Sequence, residues 1–356
     1  MAFDFLTTVN LLQVVQGLDR PASFLRDRYF PTNAATDIFS TNKVLAEYRD
    51  GSKKLAPFVA PRVGGVTMTR KGFEMVEYEP PKVAPRRVMT LDDLDRRGFG
   101  EALYSNYTPQ MRQNMLITRD LEELSNAISR REEAMAAEVM QTNGFVVNEI
   151  ADDVEEARTE TVKFYSEGSN PATYTPATMW DQSGAKVLAD LEAMVRMLTT
   201  RGLPAVDLVC APDVADAIIR NAEVVGLLDN RRYEMGFVEP TELAFGAAII
   251  ARLNVLGRLI NIISYDDTYT DDEGTDHQYI TAGNCVLTCP GAGRTLYGAV
   301  TQLEQSDHVF HTYTGMRVPK YVGNVEADQR KLTLTSRPMM VPNNKNPFIV
   351  AKVLGE

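Results

Sequence analysis

The feature that most constrains the fold is one long amphipathic segment, residues 109–141. Thr108-Pro109 is typical of a helix start, with a threonine cap and a proline in the first turn. Apolar residues then recur with a helical period, at Ile117, Leu121, Leu124, Ile128, Met135 and Val139. We expect Gly144 to end the helix. Such a helix is about 50 Å long. Helices of this length serve as long structural supports in scaffold or shell proteins, but they also occur in ordinary α/β domains.

The other faces of this predicted helix are charged. They carry Arg119, Asp120, Glu122, Glu123, Arg130, Arg131, Glu132 and Glu133. The pattern therefore predicts a helix with one buried stripe and an otherwise polar surface.

Composition narrows the class of protein. A chain of 356 residues exceeds one compact unit of roughly 100–200 residues, so two or more regions are expected. Hydrophobic residues make up 44% and charged residues 24%, which argues against global disorder. The net charge of −11 disfavours sequence-independent nucleic-acid binding by the whole chain. Three cysteines, Cys210, Cys285 and Cys289, are too few for a disulfide framework and indicate a reducing compartment.

The sequence predicts neither export nor membrane insertion. The first cation is Arg20, and no apolar run reaches the ~18 residues of a membrane helix. We therefore expect the protein to be made in the cytoplasm.

Residues 1–48 are interpreted as an N-terminal arm. A short amphipathic stretch ends at Gly17, and irregular apolar sequence follows it. The arm either packs on another molecule or docks on its own core, and the sequence leaves both open.

Residues 49–90 are predicted to form an extended β-hairpin. Short β-type runs are separated by Gly64-Gly65 and Gly72, and Pro80-Pro81 and Pro85 close the segment. Residues 51–90 hold eight cations and three anions, a local charge of +5 that leaves −16 for the rest of the chain. Such a hairpin either lies on another acidic surface or is an ordinary solvated hairpin on its own chain.

Residues 181–304 alternate between predicted strands and helices, as in a compact α/β domain. Trp180, the single tryptophan, is expected to fill a core or an interface. The tail returns to strands at Arg330–Ser336 and Pro347–Val353, joined by residues 338–346.

The sequence has few residues in arrangements typical of catalysis, and we predict no catalytic, cofactor or metal site. His308 and His311 form an H-x-x-H pair on a predicted strand or loop, where they face opposite sides. Gly291-Ala292-Gly293 leads into a strand, so it is interpreted as a turn and not a phosphate loop. The acidic stretch 266–276 is interpreted as an exposed loop.

Two other functions remain as alternatives to a protein without catalytic sites. One is a metal-dependent enzyme that uses this loop and His277, and the other is a nucleic-acid-binding module that uses the basic hairpin.

The order of the parts resembles the major capsid proteins of tailed phages, most closely the lambda-type branch, the phage major capsid protein E family. Four pieces carry the resemblance: Leu55–Pro61 with Val63-Gly64-Gly65, Glu77–Arg86, Met111–Glu138, and the tail Lys331–Met340 with Pro347–Val350. No single motif is decisive, and the similarity is weakest across residues 205–290.

The resemblance implies an α+β fold of the tailed-phage and herpesvirus major capsid type. Residues 1–48 would be the N-arm, 49–90 the extended loop that reaches over a neighbouring subunit, and 181–304 the axial domain. Residues 91–180 and 305–356 would form the peripheral domain around a spine helix at 109–141. The loop cations expected to contact a neighbour are Lys53, Lys54, Arg62, Arg70, Lys71, Arg86 and Arg87.

The implied function is self-assembly into hexamers and pentamers of an icosahedral head that encloses double-stranded DNA without sequence-specific binding. Expected partners are other copies of the chain, a scaffolding protein, a portal and a cement protein, with no membrane. The protein would be assembled in the host cytoplasm and reside in the virion. Some tailed-phage capsids cross-link a loop lysine to an asparagine, but the lambda-type branch resembles systems locked by a cement protein instead.

Overall fold

The computed structural model describes residues 8–17, 23–48, 74–95, 108–149, 158–164, 172–228, 236–237, 241–244, 246–271, 274–325 and 327–355. Its helices are α1 (Thr8–Gly17), α2 (Phe24–Tyr29), α3 (Leu91–Asp95), α4 (Pro109–Thr142), α5 (Val187–Thr200), α6 (Pro212–Arg220) and α7 (Ala222–Leu228).

The strands are short and spread along the whole chain. They are β1 (Val44–Tyr48), β2 (Glu74–Tyr78), β3 (Arg86–Thr90), β4 (Gly144–Glu149), β5 (Arg158–Lys163), β6 (Ala172–Tyr174), β7 (Asp207–Cys210), β8 (Gly236–Phe237), β9 (Thr241–Ala244), β10 (Ala247–Val255), β11 (Arg258–Tyr265), β12 (Thr268–Thr270), β13 (Asp276–Gln278), β14 (Asn284–Thr288), β15 (Gly293–Tyr297), β16 (Val300–Leu303), β17 (Phe310–Tyr313), β18 (Val318–Asn324), β19 (Gln329–Thr335), β20 (Pro338–Pro342) and β21 (Ile349–Lys352).

The long helix α4 forms where the sequence predicts it. The Thr108 hydroxyl accepts a hydrogen bond from the Met111 N–H at 3.3 Å, and Pro109 occupies the first turn. The six predicted stripe residues are all buried. The left-handed residue that ends the helix is Asn143 (φ 61°) and not the expected Gly144. Gly144 instead begins β4, where a Cβ would overlap the Val162 carbonyl oxygen.

The largest sheet has eight strands and mixed direction. Its strands run in the order β6-β21-β14-β7-β11-β10-β8, with β9 also paired to β10. The β10–β11 hairpin turns at Leu256 and Gly257, which both have positive φ, as the right-handed twist of the flanking strands requires. One face of the sheet packs on α5 and α6, and the other faces α2 and the C-terminal half of α4.

This sheet extends beyond the predicted α/β range 181–304. Strands β6 and β21 belong to it but come from residues 172–174 and 349–352. Within the predicted range, β15 pairs instead with β20, from a segment interpreted only as a connection between two tail strands. A strand that begins and ends with proline is tolerated here because β20 is hydrogen-bonded along one side only, to β15.

A second, smaller sheet packs on the N-terminal half of α4. Strands β18, β19 and β3 form this three-stranded antiparallel sheet. Leu332 and Leu334 of β19 and Met89 of β3 contact the stripe at Ile117 and Leu121. The predicted extended loop 49–90 therefore includes residues that belong to another part of the fold. Strand β2 ends just before Pro80-Pro81, and β3 pairs with the tail strand β19.

Candidate assembly interface

The base of the predicted basic hairpin is a short antiparallel pair. Strand β1 pairs with β2 from Val44↔Tyr78 to Tyr48↔Glu74, so the chain leaves this ladder at residue 48 and returns at residue 74. We call residues 49–73, between these strands, the ribbon. Lys53, Lys54, Arg62, Arg70 and Lys71 lie on the ribbon and therefore outside the described residues.

The two remaining predicted contact residues lie elsewhere. Arg86 and Arg87 are in β3, in the small sheet beside α4. The Arg87 guanidinium forms an ion pair with Glu123 of α4 at 2.8 Å, and both side chains are about half exposed. An exposed pair of this kind contributes about 0–1 kcal/mol. Arg87 thus has a weak partner in its own chain.

The ribbon base is held to the body by charged side chains. Arg337 contacts Glu79 at 3.1 Å and donates to the Pro80 carbonyl oxygen at 3.2 Å. Lys43, just before β1, contacts Glu77 on β2 at 3.4 Å. Arg337 therefore connects the segment after β2 to the tail, whereas the exposed Lys43–Glu77 pair adds little to the β1–β2 ladder.

The N-terminal arm is fastened to α4 through Glu133. The Leu25 and Arg26 N–H groups at the start of α2 donate to its carboxylate at 2.6 and 2.9 Å. The Tyr265 hydroxyl of β11 donates to it at 2.8 Å. The Ser23 side chain makes no capping hydrogen bond, so Glu133 supplies the cap from another helix. Burial raises the pKa of Glu133 to about 7, against the lowering effect of these hydrogen bonds.

Glu132 binds two buried arginines beside this cap. Arg26 of the arm and Arg317 of the tail both lie 3.4 Å from its carboxylate, and the Tyr297 hydroxyl donates to it at 3.0 Å. Arg317 also donates to Ser129 on α4 at 2.6 Å. The Glu132 carboxylate therefore offsets the charges of two buried guanidiniums between arm, helix and tail.

A third carboxylate, Asp207, fastens the other end of α2 to the large sheet. Arg28 lies 2.7 Å from Asp207, and the Tyr29 hydroxyl donates to it at 3.2 Å. Asn261 of β11 also donates to it, at 2.8 Å. The arm is thus fixed on its own body, which answers the question that its sequence left open for residues 23–48.

The interpretation that Glu132 and Glu133 lie on faces away from the buried stripe is wrong, because buried partners from distant parts of the chain pack on them. Both side chains are buried. A signal was present in the sequence: the apolar stripe steps by seven from Ile128 to Met135 and passes over position 132, which lies on the buried face. A charged residue at a core position indicates a buried polar partner.

The other candidate residues occupy ordinary positions. His311 of β17 pairs with Asp307 at 2.6 Å, and His277 of β13 pairs with Asp271 at 2.7 Å. Gly291 has φ 69°, so a turn forms where the sequence predicts one. In the described parts of the chain, no three His, Cys, Asp or Glu side chains come together as a metal site would need.

Two further expectations concern buried groups. Trp180 is buried, and its indole N–H donates to Asp190 at 2.8 Å, so it fills a core as predicted. All three cysteines are free and buried.

Among the helices that the structure describes, none combines the length and apolar character of a membrane span.

The combination of a fastened arm, a ribbon base, a long spine helix and a mixed central sheet defines the major capsid fold of tailed phages. A candidate capsid protein of a prophage of Escherichia coli CFT073 matches with a TM-score of 0.68 at 16% identity, covering 98% of this chain and 99% of that one. A phage-related protein from Bordetella bronchiseptica RB50 matches with a TM-score of 0.53 at 9% identity, over 96% and 95% of the two chains.

The sequence matches the family model of phage major capsid protein E over residues 7–353, and the chain belongs to that family. The major capsid protein of Enterobacteria phage P21 is 23% identical over 331 residues, 88% of this chain and 90% of that protein. The P21 prophage-derived major head protein of E. coli O6:H1, strain CFT073, matches over the same lengths at the same identity. The predicted family and fold are confirmed, and nothing found favours the metal-dependent enzyme.

Proposed function

We propose that this chain is a shell subunit that assembles with copies of itself into the hexamers and pentamers of an icosahedral head enclosing double-stranded DNA. The observation that carries the proposal is the family match across residues 7–353, which includes the arm, the ribbon and the spine helix. It acts as a structural protein and not as an enzyme, and its place is the virion.

The fold supports the assignment of two structural regions within the subunit. We assign α4 with the sheet β18-β19-β3 to the peripheral domain, and the sheet flanked by α5 and α6 to the axial domain, mainly residues 181–304. Each has its own group of buried apolar residues. The cluster around α2 and Glu133 joins them, so the angle between the two regions depends on the fastened arm.

The ribbon is the element proposed to reach a neighbouring subunit. Its cations are Lys53, Lys54, Arg62, Arg70 and Lys71, and their charge is opposite in sign to the net charge of the residues outside 51–90. Many screened contacts of this kind add up over a closed lattice, and weak individual contacts let misplaced subunits dissociate. Arg86 and Arg87 stand beside α4, where the weak pair with Glu123 can be exchanged for a neighbour's carboxylate.

The remaining partners follow from the same role. A scaffolding protein and a portal would act during assembly in the host cytoplasm, and a cement protein would lock the finished shell. An acidic inner wall repels DNA and so contains it without sequence-specific binding. Contact with a membrane has no part in this function. Mature shells should show monomer bands alone on a denaturing gel, since no cross-link is proposed.

Negative-stain electron microscopy of the purified protein tests the proposal. The wild-type chain should form rings, sheets or closed shells. The double variant Lys53→Glu, Lys54→Glu should assemble poorly because it reverses two ribbon charges. The matched control Lys163→Glu, Lys186→Glu changes two exposed lysines outside the ribbon and should assemble normally. A wild-type chain that remains a monomer under all conditions would refute the proposal.

A further inference from the structure

Two buried cysteines face each other in the middle of the large sheet. Cys210 on β7 and Cys285 on β14 are directly opposite in the antiparallel register. Both are fully buried and belong to the same apolar cluster, on the face that packs against α5 and α6. Cys289 belongs to the cluster on the other face of the sheet. Only one of the three possible cysteine pairs is therefore in contact across the ladder.

The hydrogen bonding fixes the type of this pair. The Ala211 N–H donates to the Asn284 carbonyl oxygen at 3.2 Å, so the next pair along, Cys210 with Cys285, is a non-hydrogen-bonded pair. In such pairs the Cα atoms are about 4.5 Å apart, and disulfides span Cα separations of roughly 4.4–6.8 Å. The pKa of the Cys210 thiol is raised by its burial and, to a smaller extent, by the neighbouring Cys285 thiol. A disulfide can form here without rearranging the backbone.

We propose that Cys210 and Cys285 are a redox-responsive pair that closes into a cross-strand disulfide between β7 and β14. The oxidant is a small two-electron acceptor, either a disulfide or an azo compound such as diamide. Two S–H bonds break and one S–S bond forms. The two electrons and two protons pass to the acceptor, which becomes two thiols or a hydrazine.

The position of the pair makes closure slow until the sheet opens. The thiolate is the attacking species, and burial raises the pKa of the Cys210 thiol. Local separation of β7 from β14 admits both water and oxidant, so closure should speed up under mildly unfolding conditions. If the chain is the proposed shell subunit, the pair would be reduced in the cytoplasm and could close once the particle is outside the cell.

The effect of closure follows from the position of these strands. β7 and β14 are neighbours in the interior of the eight-stranded sheet, with other strands on both sides. A link between residues 210 and 285 restrains a long loop in the unfolded chain. The linked protein should therefore melt at a temperature higher by roughly 5 °C, and a thiol reductant should remove the increase.

Peptide mass mapping after treatment with diamide tests the proposal on the full-length protein. Trypsin releases Cys210 in peptide 202–220, and Cys285 together with Cys289 in peptide 259–294. The variant Cys289→Ser should give these peptides joined, with several-fold faster joining in 2 M urea than without it. The variant Cys285→Ala, which keeps Cys289, should give them separate.

Two results would overturn the proposal. One is the absence of the joined peptides in Cys289→Ser both without urea and in 2 M urea. The other is equal joining in Cys285→Ala, which would mean that Cys289 reaches Cys210. Circular dichroism of each variant before treatment verifies that it is folded, and Cys285→Ser serves as the second variant if Cys285→Ala is not. Because linkage is measured by mass and assembly by microscopy, failure of the pair is distinguishable from failure of the shell function.

Discussion

Replacing Glu133 by glutamine should remove a specific part of the pH dependence of stability. In the folded protein, the buried carboxylate that caps α2 titrates with a pKa of about 7, and its value in the unfolded chain is about 4.5. Below pH 4.5 both states hold the proton. Between 4.5 and 7 the unfolded chain loses it first, so the folded state loses stability as the pH rises, and above 7 the loss is complete.

The size of the effect follows from the two pKa values. The whole difference corresponds to about 3 kcal/mol, of which about 2 kcal/mol falls between pH 5.5 and 8. Glutamine cannot titrate, so the free energy of unfolding of Glu133→Gln should lack this fall. The matched control Glu123→Gln, on an exposed part of the same helix, should retain it.

Urea unfolding at pH 5.5 and pH 8 measures the difference. Trp180 is the single, buried tryptophan, and its fluorescence reports on the large sheet, while circular dichroism reports on α4. The stability of Glu133→Gln relative to wild type should improve by about 2 kcal/mol between the two pH values. Parallel pH curves for the variant and the wild type would refute the assignment of the buried charge to Glu133.

Three further substitutions test local features of the fold. Thr108→Ala should lower the free energy of unfolding by about 1 kcal/mol, and Thr108→Ser should restore it, as measured by urea titration. Gly144→Ala should cost about 1–3 kcal/mol because its Cβ meets the Val162 carbonyl oxygen, while Gly17→Ala, with open space around it, should change the melting temperature little. Asp207→Ala should cost roughly 3 kcal/mol, since it leaves buried donors without their acceptor, and should speed tryptic cleavage in the arm.

The local elements could be predicted from the sequence because their signals are local. The stripe from Ile117 to Val139 and the cap at Thr108 specify α4 with no knowledge of what packs on it. The period-two pattern at residues 330–336 likewise predicts β19, although not its partners. Helical and strand periodicity report which face is buried, and the apolar stripe of α4 and the buried leucines Leu332 and Leu334 of β19 lie where this periodicity predicts.

The tertiary contacts between elements could not be predicted, because they depend on residues far apart in the chain. Glu132 is buried against the Arg26 and Arg317 side chains, and Glu133 against backbone N–H groups of α2, and no local pattern identifies these partners. The same applies to the large sheet, which takes β6 and β21 from either side of the predicted domain. Strand β20 was not predicted because proline stands at both of its ends. It pairs on one side only, with β15.

The assignment of the ribbon to a neighbouring subunit is tested most directly by a cryo-electron microscopy map of the assembled particle. Residues 48 and 74 mark where the ribbon leaves and rejoins the body, so its path can be traced from β1 and β2. Density for residues 49–73 is expected against the acidic surface of an adjacent subunit. Density for those residues along the surface of their own subunit, in every position of the lattice, would contradict it.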